Sequence, residues 1–146
     1  MVLASRDRQR YELAHAVGYD EPALDNWRRV SMSADHPLSN AIRRHEITTA
    51  ASPTSFGANG GAASGEAMTR CRSTVVVPLV MNRLPRGAFI ISFHDLRTLD
   101  AAERQCLQTA ARRVVEALAR AERYEVTERA RATAETLRQR ADEIGE

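Results

Sequence analysis

From Asp100 to Ile144 the chain holds neither glycine nor proline. Alanine, arginine and glutamate dominate the stretch, and all are strong helix formers. One uninterrupted helix of about 45 residues would run nearly 70 Å, at ~1.5 Å per residue. The chain has 146 residues, so only 1–99 remain for a globular body. Asp100 and Glu103 stand in capping-box spacing at the start of the run. Leu107, Ala111, Val114, Leu118 and Ala121 then step by 4-3-4-3, a heptad seam. The next seam positions are Glu125 and Glu128, which break the phase; Ala130, Leu137 and Ile144 resume in a different register. A small domain cannot bury so long a polar helix. Residues 100–146 therefore read as a long C-terminal helix whose first half packs on the domain or a partner. The second half reads as a coiled-coil stalk for signalling or dimerisation. Leu107, Ala111, Val114, Leu118, Ala121 and Leu137 are its candidate pairing residues, and a homodimer is the expected partnership.

Composition removes several other readings. The longest apolar run, Val75–Met81, is far short of the ~20 residues a membrane helix needs. No secretory pattern opens the chain. Two cysteines, Cys71 and Cys106, make no disulfide framework, which fits a reduced, cytoplasmic setting. All 21 basic residues are arginine, yet the net charge is only +2. The pairs Arg28–Arg29, Arg43–Arg44 and Arg112–Arg113 lie among acids with no aromatic residues interleaved to stack on bases. The arginines thus read as solvated faces shaped by genome composition, and the pattern argues against nucleic acid as a partner.

Within 1–99, Tyr11, Leu13, His15 and Val17 alternate with Glu12, Ala14 and Ala16, predicting a strand over 10–17 entered through a short hairpin. Leu24, Trp27 and Val30 recur at threefold spacing and predict one helical turn. Asp35-His36-Pro37 reads as a helix start, with Leu38, Ala41 and Ile42 as its buried stripe. A short strand is expected over Glu46–Thr49. Residues 50–66 carry four glycines and one proline without periodicity, and read as a mobile loop. Val75–Met81 and Gly87–His94 form the clearest unit, an antiparallel hairpin reversed over Asn82–Gly87. Pro78 sits awkwardly in it, since proline favours an edge or a bulge.

Three stretches in this order resemble the GAF domain, a regulatory and sensor domain of bacterial and eukaryotic signalling proteins. They are Glu12–Tyr19, similar to the family's second strand and glycine turn; Pro37–Arg44, like its short helix; and Val75–Val80 through Gly87–Phe93 to Leu99–Arg104, like its closing hairpin and helix. Ala117–Glu125 resembles the family's exit into a signalling helix. The resemblance spans roughly residues 2–125. It implies an α+β fold, with an antiparallel sheet of about six strands flanked by helices on one side and a ligand-sized cavity on the other. The family's opening helix has no counterpart, which leaves its groove to the terminal helix, a partner chain or residues outside this fragment. An output module, absent from this chain, is also implied.

No catalytic set is legible. His15, His36, His45 and His94 lack metal-ligand spacing, and no CxxC, phosphate loop or nucleophilic triad is present. Some GAF-like domains reduce free methionine sulfoxide with thiols, but that chemistry needs several placed cysteines. No metal and no cofactor are expected. The candidate ligand pocket is lined by the inward side chains of Tyr11–Val17, His15 among them, by Trp27, by the loop near Phe56 and by Arg72, with Arg72 available for an acidic group on a small molecule. The sequence thus reads as a non-enzymatic sensor. The competing reading is a ligand-free dimerisation platform.

Overall fold

The computed structural model describes residues 1–25, 27–32, 37–51 and 70–144. The expected cap at Asp35 and His36, and the loop 50–66 beyond Ala51 with its Phe56, lie outside the described residues. Strands β1 (Val2–Ala4), β2 (Arg10–Leu13), β3 (Arg29–Ser31), β4 (Thr48–Ala50), β5 (Ser73–Met81) and β6 (Leu84–Phe93) make one sheet in the order β3-β2-β1-β6-β5-β4. Every pairing is antiparallel. The helices are α1 (Glu21–Asp25), α2 (Pro37–Arg44) and α3 (Ala101–Ile144). The α+β architecture and the long terminal helix are as the sequence leads one to expect.

The chain divides into two compact units, Met1–Arg112 and Arg113–Glu146. In the first, one sheet face carries Val2, Tyr11, Val30, Val76 and Ala88, against which Leu38, Ala41 and Ile42 of α2 and Trp27 pack into a single core. Strand alternation selects these residues, because every second side chain shares a face. Ser39 on α2 donates to the Ser31 carbonyl at 2.8 Å, tying the helix to β3. In the second unit α3 continues as a single helix, and residues 121–141 are exposed throughout.

Several local expectations shift. The strand foreseen over 10–17 ends at Leu13, because its partner ends there: Val2 opposes Leu13, and the Ala14 and His15 amides both donate to the Met1 carbonyl. Val30 is not helical. It pairs with Tyr11 in β3, so the spacing with Trp27 reflects a shared core rather than a shared helix. The β5–β6 reversal is tighter than foreseen, with Asn82 and Arg83 alone turning the chain at φ 52 and 63. Two positive φ values give the hairpin geometry that suits strand twist. Val80 then opposes Pro85 and Leu79 opposes Gly87, so Arg86 is the extra residue of a bulge. Pro78 lies past the end of β4, whose pairing stops at Thr48↔Val76, where a missing donor is tolerated.

Gly87 is required by proximity. A Cβ there would stand 2.1 Å from the Val2 carbonyl oxygen, and its φ is +151. Only glycine lets β1 lie against β6 at this point. The capping box at α3 is formed: the Glu103 amide donates to Asp100 Oδ1 at 2.7 Å, and the Asp100 amide to Glu103 Oε2 at 3.0 Å. Arg97 adds a bond to Glu103 Oε1 at 2.5 Å while its guanidinium lies 4.9 Å from the Phe93 ring centroid. The Arg97 hydrogen bond, then the Asp100 amide, hold the Glu103 carboxyl below its usual range.

Candidate ligand cavity

A cavity of about 200 Å³ opens beside α1 in the first unit. Its floor is the sheet, through Leu13 of β2 and Ile90 of β6; both also pack on the α2 core. The cavity therefore shares a sheet face with α2. The expected division, with helices on one face and a cavity on the other, does not hold. The cause is the shortness of α1, whose five residues leave part of that face uncovered.

The wall is built by a compact local device. Asp20 caps α1, accepting from the Ala23 amide at its side chain (3.2 Å), while its carbonyl accepts from Leu24 (3.2 Å). Arg28 then spans the helix, bonding Asp25 at 2.8 Å and Glu21 at 2.5 Å. The Trp27 amide donates to the Leu24 carbonyl at 2.9 Å. This arrangement aims Leu24 and Trp27 at the cavity. Trp27 is only 3% exposed. The connection from β2 supplies Ala16, Val17 and Tyr19, and Met1 completes the lining. Val17, 78% exposed, sits at the rim.

The polar anchor of the site is Tyr19. Its hydroxyl donates to Ser92 Oγ at 2.7 Å, and Ser92 Oγ lies 3.3 Å from Thr74 Oγ1 on the neighbouring strand. Burial pushes the Tyr19 phenol up, partly offset by the Ser92 bond. Among the described residues no charged side chain lines the cavity.

Of the sequence candidates, Trp27 lines this cavity. His15 is exposed and outside the lining, while Leu13 and Val17, which share its alternation, line the cavity together with Ala16. Arg72 is exposed and likewise outside the lining. Phe56 is outside the described residues. Nothing in the sequence marks Tyr19, Leu24 and Ile90 as lining residues, save that the first is a tyrosine directly after the Gly18 turn.

A second cavity of about 210 Å³ lies along the free edge of β5, where Val77 and Val80 meet Gln108 and Arg112 of α3, with His45 and Ile47 at its border. Arg104 reaches across to the Ile47 carbonyl at 3.4 Å. Cys71 is buried and Cys106 exposed. Among the described residues no cluster of three or more His, Cys, Asp or Glu could hold a metal. None of the described helices is long and apolar enough to cross a membrane. Of the pairing candidates in the first unit, Leu107 is half-buried and Ala111 buried. In the second, Val114 and Leu118 are half-buried, while Ala121 and Leu137 are exposed.

No protein-family model matches the chain, and no curated protein matches it in sequence. Solved structures do match in fold. The GAF domain of a phosphoenolpyruvate-protein phosphotransferase from Acinetobacter superposes with a TM-score of 0.63 at 17% identity, covering 83% of this chain and 70% of that one. The GAF domain of a two-component sensor histidine kinase from Bacillus halodurans gives 0.66 at 14% identity, covering 85% and 82%. A type II free methionine-R-sulfoxide reductase from Thermoplasma acidophilum gives 0.52 at 14%, covering 74% and 69%. The fold of this chain is GAF-like.

Proposed function

We propose that this chain is a non-enzymatic, cytoplasmic sensory and regulatory domain. It binds a small molecule in the cavity beside α1 and transmits its state through α3, paired with a second copy, to an output module outside the chain. The observation that carries the reading is a cavity with two aromatic side chains in its lining, in a fold otherwise seen in sensor-kinase GAF domains. Signalling through α3 draws support from a helix that continues as a second unit with its polar face in solvent. Two packings compete where the heptad phase breaks at Glu125 and Glu128, and ligand state biases them. A thermal-shift screen over nucleotides, amino acids, neutral aromatics and aromatic acids tests the sensor role. A compound that binds the native state raises the melting point, and silence across the whole screen removes the role.

The reductase resemblance does not extend to catalysis here. One buried and one exposed cysteine offer no thiol set for sulfoxide reduction, so turnover of free methionine sulfoxide should be absent.

The alternative is a ligand-free dimerisation module, favoured by the apolar side chains Tyr124, Val126 and Leu137 standing in solvent on α3. Light scattering on residues 1–124 against the full chain assigns the association. Loss of the dimer with retention of fold places it in the stalk.

A further inference from the structure

We infer that the cavity beside α1 selects a compact neutral aromatic molecule and rejects charged ones, a reading that deepens the sensor role above and rests on it. Three observations converge. The first is charge: among the described residues the lining side chains, Leu13, Leu24, Ile90 and Val17 with the rings of Tyr19 and Trp27, carry no formal charge. An ion brought against these side chains loses hydration and meets no opposite charge among them. Arg72, which sequence reading offered to an acidic group, is exposed and outside the lining. The Met1 amino group is turned onto the His15 carbonyl at 2.6 Å, and burial shifts it toward its neutral form.

The second is size. About 200 Å³ is somewhat larger than the ~150 Å³ apolar cavity that takes up benzene in another protein. It is below the roughly 300–1,000 Å³ of sites for drug-sized ligands. A single ring with a short substituent fits; a nucleotide does not.

The third is the chemistry of the wall. Tyr19 and Trp27 present two aromatic surfaces, which favour offset or edge contacts with a third ring. The Tyr19 hydroxyl, the obvious polar handle, is already committed to Ser92. The site therefore offers aromatic faces beside polar surface in which the Tyr19 hydroxyl is already engaged.

The test uses three probes of matched shape, toluene, benzoate and benzylamine, on the full-length chain at neutral pH. Melting temperature and the emission of Trp27, the single tryptophan, are read together. Toluene should raise the melting point by roughly 2–5 °C near saturation and move the Trp27 emission; the two ions should do neither. Ala16→Phe should fill the cavity and abolish the toluene response, and Leu24→Phe serves if that variant does not fold. Gln108→Ala, in the β5-edge cavity, should leave the response unchanged. An equal response to benzoate or benzylamine overturns the ligand class and leaves the sensor role standing. A toluene response that persists in both filled variants overturns the site. No response to toluene, with a hit elsewhere in the wider screen, again overturns only the ligand class. Silence of every probe and of that screen overturns both readings.

Discussion

Tyr19 and Ser92, 73 residues apart, are joined by one hydrogen bond of 2.7 Å in which the phenol donates. That bond fixes the β2–α1 connection onto β6 and so closes one side of the cavity whose floor is Leu13 and Ile90. Ser92 retains Thr74 as a neighbour at 3.3 Å. Tyr19→Phe should therefore cost about 1 kcal/mol of unfolding free energy, the net worth of one such bond. Urea denaturation measures it. A loss above about 3 kcal/mol would mean that the phenol does more than anchor the connection.

Stability should fall on the alkaline side for a related reason. Burial raises the phenols of Tyr11 and Tyr19 above their ordinary value. Unfolded tyrosine ionises near pH ~10, so above that the unfolded state releases protons the folded state keeps, and folding is disfavoured. The stabilising contribution is complete below that pH and declines as pH rises through the folded pKa values. With arginine as the only basic side chain, no lysine titration overlaps this window. Melting temperature from pH 8 to 11.5 should drop beyond about 10, less steeply in Tyr19→Phe. An identical slope in the variant contradicts the assignment.

On the acid side the group is Glu103. Its carboxyl is lowered first by the Arg97 hydrogen bond and then by the Asp100 amide. A lowered acid stabilises above its unfolded pKa of about 4.3 and loses that contribution as pH falls through the folded value. Glu103→Gln should be less stable than the parent at pH 7, with the gap narrowing as pH falls below the unfolded value of about 4.3. Asp100→Ala, which removes the cap, should cost about 1 kcal/mol. Parallel melting curves across pH for parent and Glu103→Gln would remove the Arg97 contribution from the account.

Gly87→Ala should be the most damaging single methyl. Its Cβ would lie 2.1 Å from the Val2 carbonyl oxygen, and the atoms it meets are backbone. Strand β1 must move, at a cost of about 3 kcal/mol. Because Met1 beside β1 and Leu13 opposite Val2 both line the cavity, ligand response should weaken with it. A variant as stable as the parent would show that β1 is not held where described.

The proposed pairing through α3 gives a prediction for the phase break. Glu125→Leu with Glu128→Leu should extend the apolar seam and tighten a dimer by about tenfold or more in dissociation constant. Sedimentation equilibrium reads it directly. Unchanged association would remove the competing-register proposal.

What could be read from sequence alone divides along one physical line. The capping box of Asp100 and Glu103, the β5–β6 hairpin and the uninterrupted α3 depend on residues close in the chain, and local chemistry specifies them. The end of β2 does not, because Leu13 is its last residue only by virtue of where Val2 begins. For that reason His15, placed inward by extrapolated alternation, is exposed. The cavity is less local still, since Ile90 meets Leu13, Tyr19 and Leu24 only after β1 has come between β2 and β6. Trp27 and Leu24, three residues apart in the chain, reach the lining through local geometry at the end of α1. Arg72 could not be placed, because no periodicity relates the start of β5 to the far side of α1.

The central claim is that ligand enters beside α1, and a titration of the nitrogen-15-labelled full chain with toluene tests it most directly. The indole N–H of Trp27, a single resonance, should shift together with the amides of Leu13, Ala16 and Ile90. The amides of His45, Ile47 and Arg112 around the other cavity should stay in place. A still Trp27 resonance, or shifts gathered at His45, Ile47 and Arg112, would contradict the account.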